Sequence, residues 1–130
     1  MEKEVVLVDT SILIDYFRKS DKSKSALFAM SQQDYLFCIS AITEYEIYVG
    51  ATSNQKPYWE EFLNSVEVLP FNREVAKTAA EISKKLKTKR KQLDIADLFI
   101  ACTAIQSNLQ LATLNLKHFE RIENLKLVKI

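Results

Sequence analysis

The sequence predicts an α/β protein: a central, mainly parallel sheet flanked by helices on both faces. Three observations predict it. Short aliphatic runs such as "VVLV" and "YLFCIS" have the composition of strands buried on both sides. Longer stretches between them carry apolar residues at spacings of three and four, the helical repeat. The two kinds of segment alternate, which is the order that strand–helix–strand units require.

Taken in order, residues 4–8 form the first predicted strand, rich in valine. A helix is expected over 11–19, and Ser20 or Asp21 can cap a second over 22–32. Residues 35–40 read as another buried strand. Helical spacing follows over 41–52, with an apolar stripe of Ala41, Ile42, Tyr45, Tyr48 and Val49. Residues 56–66 make an amphipathic helix with Pro57 in its first turn. A short strand over 66–71 is closed by Pro70. The long helix 72–88 has Val75, Ala79, Ile82 and Leu86 on one face. A helix over 94–108 and a strand over 109–114 follow, and the alternating tail "LKLVKI" reads as an edge strand. No repeat, linker or low-complexity segment interrupts the pattern, so residues 1–130 read as a single domain.

Composition excludes several chemistries. The chain is 48% hydrophobic and 27% charged with a net charge of +1, an ordinary soluble balance that does not announce a polyanion partner. A single glycine, Gly50, rules out a glycine-rich phosphate loop or dinucleotide fingerprint. A single histidine, His118, rules out a multi-histidine metal site, and His118 itself reads as a surface or structural residue. Cys38 and Cys102 lie in apolar runs and are expected as buried free thiols. The charged start "MEKE" and the lack of any apolar run near ~20 residues predict neither a signal peptide nor a membrane span, and hence a cytoplasmic protein.

The chemistry-bearing residues are carboxylates. Asp9 directly follows the first predicted strand, where it can cap the next helix or stand in a site beyond the strand end. In "SAITEYEIYVG", Glu46 and Glu44 flank opposite edges of the apolar stripe, and periodicity favours Glu46 only weakly. Asp97 lies in "DIADLFIACTAI", where residues 95–105 hold only two non-apolar residues, Asp97 and Thr103. A carboxylate in so apolar a helix must be paired, protonated or bound to a cation, or must serve the helix dipole in the first turn. Asp94 fits the N-cap position of that helix. Oxygen-only ligands select a hard cation, Mg²⁺ or Mn²⁺, and such ions serve phosphodiester hydrolysis.

With these residues in place, the sequence resembles the PIN-domain ribonucleases of the VapC type, the toxins of bacterial or archaeal toxin–antitoxin pairs. The matching motifs are "VDTSILID", "SAITEYEIYVGA", "DLFIACTAI" and "LATLNLKHFERIENLKL", in the family's order and spanning almost the whole chain. The resemblance implies a three-layer α/β/α PIN-like fold and catalytic metal ligands at Asp9, Glu46 and Asp97. It selects Glu46 over Glu44. It places the family's fourth acidic position at Asn115, where an amide departs from the pattern, and it marks Thr10 and Thr113 as polar supports. It further implies Mg²⁺ (or Mn²⁺) dependence, cleavage of cellular RNA (tRNA, rRNA or mRNA) that arrests translation, an antitoxin that blocks the acidic pocket, and a homodimer. Water attacking phosphorus in line is expected to leave a 3′-hydroxyl and a 5′-phosphate. A catalytically inactive PIN-like domain that binds RNA or protein is the alternative. An aspartyl phosphotransferase is disfavoured, because its second aspartate would fall at Ser11.

Other segments carry two readings each. "KKLKTKRKQ" holds Lys84, Lys85, Lys87, Lys89, Arg90 and Lys91, either an RNA-backbone contact or a solvated helix end that complements the dipole. Tyr45, Tyr48, Tyr58 and Trp59 can stack on bases or belong to the core or an interface. The stretch from Tyr16 to Met30, in which Phe17 and Phe28 can be exposed, is a candidate antitoxin groove or dimer surface by analogy.

Overall fold

A computed structural model of the chain describes residues 4–128. Four strands, β1 (Glu4–Val8), β2 (Tyr35–Ser40), β3 (Val68–Leu69) and β4 (Gln110–Ala112), form one parallel sheet in the order β3-β2-β1-β4. The helices are α1 (Thr10–Arg18), α2 (Ala26–Gln32), α3 (Ala41–Gly50), α4 (Lys56–Asn64), α5 (Arg73–Thr88), α6 (Ile95–Gln106) and α7 (Leu116–Phe119).

Side-chain alternation along the strands separates two cores. Val6 and Val8 of β1, Ile39 of β2 and Ala112 of β4 pack with Ile12, Leu13, Met30, Ile47, Trp59 and Leu63 from α1 to α4. Leu7, Cys38 and Leu111 point the other way and pack with α5, α6, Phe119 and Ile122. Both faces of the central strand are therefore covered, and the expected three-layer α/β/α architecture holds. The two thiols are free and buried, as expected, and burial pushes both up to about 11.

Several boundaries differ from the sequence reading, each for a local reason. The single helix expected over 22–32 is two pieces, a 3-10 turn at Lys22–Lys24 capped by Asp21 and then α2. Ser25 splits them: its hydroxyl accepts the Phe28 N–H at 3.2 Å while donating to the Lys22 carbonyl at 2.7 Å. Asp15 Oδ2 takes the Ala26 N–H at 3.0 Å, so a second orphan donor of α2 is satisfied. The strand over 66–71 shortens to Val68–Leu69, because Pro70 has no N–H for the ladder. The expected tail strand is one parallel bridge between Leu111 and Leu127, and residues 129–130 of that expectation lie outside the described ones.

The larger correction is the face of α3. Tyr45 and Val49 of its predicted apolar stripe are 65% and 67% exposed, whereas Thr43 and Ile47 are buried. The helix wheel ranks tyrosine as apolar and threonine as polar. Here the buried threonine hydroxyl has partners, which removes the penalty that the wheel assumes. Likewise α6 is buried along most of Leu98 to Ala104 but not at its first turn, where Ile95 is exposed. Among the described residues no helix is long and apolar enough to cross a membrane.

Candidate active site

The chain leaves β1, crosses to β2 and β3 on one side, and returns to place β4 on the other. The carboxyl end of β1 is thus the switch point, where parallel sheets open a crevice. Asp9 sits there. Its N–H continues the ladder to the Ala112 carbonyl at 3.0 Å, and then its carboxylate caps α1. Oδ1 accepts the Ile12 N–H at 3.3 Å and the Ser11 hydroxyl at 2.5 Å, and Oδ2 accepts the Thr113 hydroxyl at 2.5 Å. The capping reading of Asp9 holds, and the same residue stands at the carboxyl end of β1, the switch point of the sheet. The two hydroxyls are themselves held, Ser11 by the Leu114 N–H at 3.1 Å and Thr113 by the Asn115 N–H at 2.9 Å. Burial pushes the Asp9 carboxyl above its ordinary range, while the bonds from Ser11, Thr113 and Ile12 pull it back.

Glu46 is fixed by a chain of hydroxyls. Thr10 Oγ1 donates to Glu46 Oε1 at 2.6 Å and lies 3.1 Å from Thr43 Oγ1, which is 3.4 Å from Ser40 Oγ. Each hydroxyl has one proton, and an ionised carboxylate only accepts. The direction follows: Ser40 donates to Thr43, Thr43 to Thr10, and Thr10 to Glu46. Ser40 also accepts the Thr43 N–H at 3.1 Å as the N-cap of α3. Ser11, Ser40 and Thr43 escaped the sequence reading. Their signal was the spacing of three between Ser40, Thr43 and Glu46, which sets them along one face of α3. Glu44 lies instead in the first turn of α3, where a negative charge suits the helix dipole.

Asp97 in α6 completes the trio. Its carboxyl is pushed up to about 6, first by burial and then by the charges of Asp94, Asp9 and Glu46. Each of the other two members therefore bears on its charge. Asp94 holds the N-cap position of α6 but makes no capping hydrogen bond through its side chain, so the expected cap is not formed and its charge instead raises Asp97. His118, expected as a surface or structural residue, is exposed and has Nδ1 4.0 Å from Asp97 Oδ2. The sequence carried no sign of this, since the contact depends on how α7 docks.

The donor set suits a hard divalent ion: oxygens only, and like charges brought together. Among the described residues no three His, Cys, Asp or Glu side chains stand close enough to hold one ion directly. An ion held by these residues would have to keep several of its own waters, as Mg²⁺ does. Asn115 lies exposed at the N-terminus of α7 and, with Thr10 and Ser11, lines the groove beside the trio.

The remaining candidates are dispersed. Lys84, Lys85 and Lys87 are exposed along the end of α5, and Lys89 Nζ is engaged by Glu123 at 2.6 Å. Trp59 is buried against Phe17 and Phe62, with centroids 4.9 and 5.8 Å apart, so Phe17 is half-buried rather than exposed. Phe28, Tyr45, Tyr48 and Tyr58 are exposed.

Fold and site together define a parallel α/β protein with an acidic, oxygen-donor crevice at its switch point. The PIN domain family profile matches residues 6–125, and the chain belongs to that family. It is 37% identical over 123 residues to Ribonuclease VapC1 of Methanocaldococcus jannaschii, covering 94% of this chain and 84% of that protein. Among solved structures it is similar to the DNA-bound VapBC of Salmonella typhimurium, with a TM-score of 0.82, 26% identity and 98% of each chain covered. It is also similar to a toxin–antitoxin complex from Klebsiella pneumoniae, with a TM-score of 0.74, 28% identity and coverage of 92% of this chain and 94% of that one.

Proposed function

We propose that this chain is a divalent-metal-dependent endoribonuclease, the toxin of a toxin–antitoxin pair, acting as one domain in the cytoplasm. The observation that carries this reading is the bridge at the switch point: Asp9 directly follows β1, and Thr10 beside it donates to Glu46 Oε1 at 2.6 Å, with the Asp97 carboxyl raised by burial and by the acids around it. These three would hold Mg²⁺ or Mn²⁺, with Asn115 as a fourth oxygen donor. When bound, such an ion supplies an acidified water and shields charge that develops at phosphorus.

The chain's own residues do the positioning. Ser11 and Thr113 hold one Asp9 oxygen each, and Thr10 holds Glu46. Every inward lone pair used by a hydroxyl leaves the outward ones for an ion and its waters. The relatives' names and complexes support RNA as substrate and an antitoxin as inhibitor. A basic antitoxin side chain laid over the trio would neutralise it, and a homodimer is the expected assembly. Of the basic run, Arg90 and Lys91 are the candidate RNA contacts; Lys84, Lys85 and Lys87 stand on the exposed end of α5, and Lys89 is paired with Glu123.

The test is induced expression of wild type, Asp9→Ala and Asp97→Asn, with cellular RNA ends mapped. Asp9→Ala also removes a helix cap, worth about 1 kcal/mol, so Asp97→Asn is the cleaner arm. New RNA ends and growth arrest are expected with wild type alone. Arrest that persists in both variants sinks the nuclease reading.

A further inference from the structure

The basic segment straddles the end of α5: Lys84, Lys85 and Lys87 lie within the helix, and Lys89, Arg90 and Lys91 follow it. Lys91 N–H closes back on the Leu86 carbonyl at 2.9 Å, and Arg90 adopts φ 56. This left-handed turn ends the helix and carries Arg90 and Lys91 off its axis. There they line an open groove with Lys117, Glu120 and Arg121, the last three on α7 or just beyond it. Lys84, Lys85 and Lys87 do not line it.

Four cationic side chains thus face one carboxylate in a chain whose net charge is only +1. The Arg121 Nη1 donates to the Gln92 carbonyl at 2.8 Å, which pins its guanidinium at the groove wall. Arg90, Lys91 and Lys117 make no ion pair among the described residues. The groove is tied to the acidic site through α7: Lys117 adjoins His118 in sequence, and His118 Nδ1 lies 4.0 Å from Asp97 Oδ2.

An acidic crevice repels a polyanion, so attraction for one must come from outside it. We propose that the groove formed by Arg90, Lys91, Lys117 and Arg121 binds the phosphodiester backbone of single-stranded RNA running on from the acidic site. The inference rests on the nuclease reading for the identity of the polyanion. Cations at fixed positions along a strand hold it through phosphate contacts, independent of base sequence. Glu120 works against this and weakens the groove.

The test uses the full-length protein in EDTA and a fluorescein-labelled oligouridine of about 20 nucleotides, with binding read by anisotropy over a salt series. Lys91→Ala and Lys117→Ala are each expected to weaken binding several-fold and to reduce the slope of log K against log salt by about 0.7. Lys91→Glu with Lys117→Glu is expected to weaken it at least tenfold, and Glu120→Gln to strengthen it. Lys84→Glu, outside the groove, is expected to leave it nearly unchanged, and far-UV circular dichroism checks that each variant is folded. Unchanged affinity in the double variant overturns the proposal, including the case in which the groove serves an acidic protein segment instead. So does an equal loss in Lys84→Glu. Binding through the groove without cleavage in Mg²⁺ overturns the nuclease reading and leaves the groove standing; cleavage with groove variants that bind normally overturns the groove alone.

Discussion

Thr10 Oγ1 lies 2.6 Å from Glu46 Oε1 and joins the first residue of α1 to α3. Behind it, Thr43 and Ser40 supply a proton chain that can run only toward the carboxylate while Glu46 is ionised. Thr43→Val keeps the shape and deletes the hydroxyl. Its expected effect is a loss of about 10- to 100-fold in cleavage rate or ion affinity, the usual consequence of losing an orienting partner. Single-turnover cleavage and a Mn²⁺ binding isotherm read the two separately. Thr43→Ser is expected to restore both, and failure to do so would show that packing, not the hydroxyl, matters.

Crowding among carboxylates has a pH signature. Asp97 is pushed up to about 6 from an ordinary 3.8, so between those values the folded chain binds more protons than the unfolded one. Stability from this group is present in full below about 4 and is lost as pH rises toward about 6. Asp9, also raised, adds to the same trend. In EDTA, the melting temperature of wild type relative to Asp97→Asn is expected to fall across that window. A difference that stays flat contradicts the crowding.

Divalent ion should relieve the same crowding. Mg²⁺ or Mn²⁺ at a hundredfold excess over its dissociation constant stabilises the folded state by about 2.7 kcal/mol. Thermal melts at neutral pH are expected to shift upward with added ion in wild type and much less in Asp97→Asn. Chelation is expected to stop RNA cleavage, and Mg²⁺ to restore it.

Product chemistry separates two routes of strand scission. Attack by water needs no ribose hydroxyl, so substrates with 2′-O-methyl groups at the cleaved position are expected to remain cleavable. The fragments are expected to carry 5′-phosphates that allow direct ligation. Accumulation of a 2′,3′-cyclic phosphate rules this route out.

The element order was legible because periodicity reports directly on strands and helices, and Asp9 and Asp97 because burial reports on misplaced charges; Glu46 was separated from Glu44 only by the resemblance. Asp97 stood out in an apolar helix, and Asp9 at the end of a valine strand. What escaped depends on tertiary contact. Thr43 lies off the predicted apolar stripe, yet it is buried and partnered by Thr10 from another helix, while Tyr45 and Val49 of that stripe are exposed. His118 meets Asp97 only because α7 packs at that point. The basic run was visible as charge, but its division into groove and non-groove residues depends on one left-handed turn at Arg90.

The bond from Thr113 to Asp9 spans 104 positions of sequence. β1 can pair with β2 as soon as both exist, but its other edge stays open until β4 and the turn after it have been made. Only then does Oδ2 of Asp9 gain its partner and the crevice its far wall. The strand order therefore makes the environment of Asp9 a long-range property of the fold: half of its hydrogen-bonding shell comes from residues more than a hundred positions away.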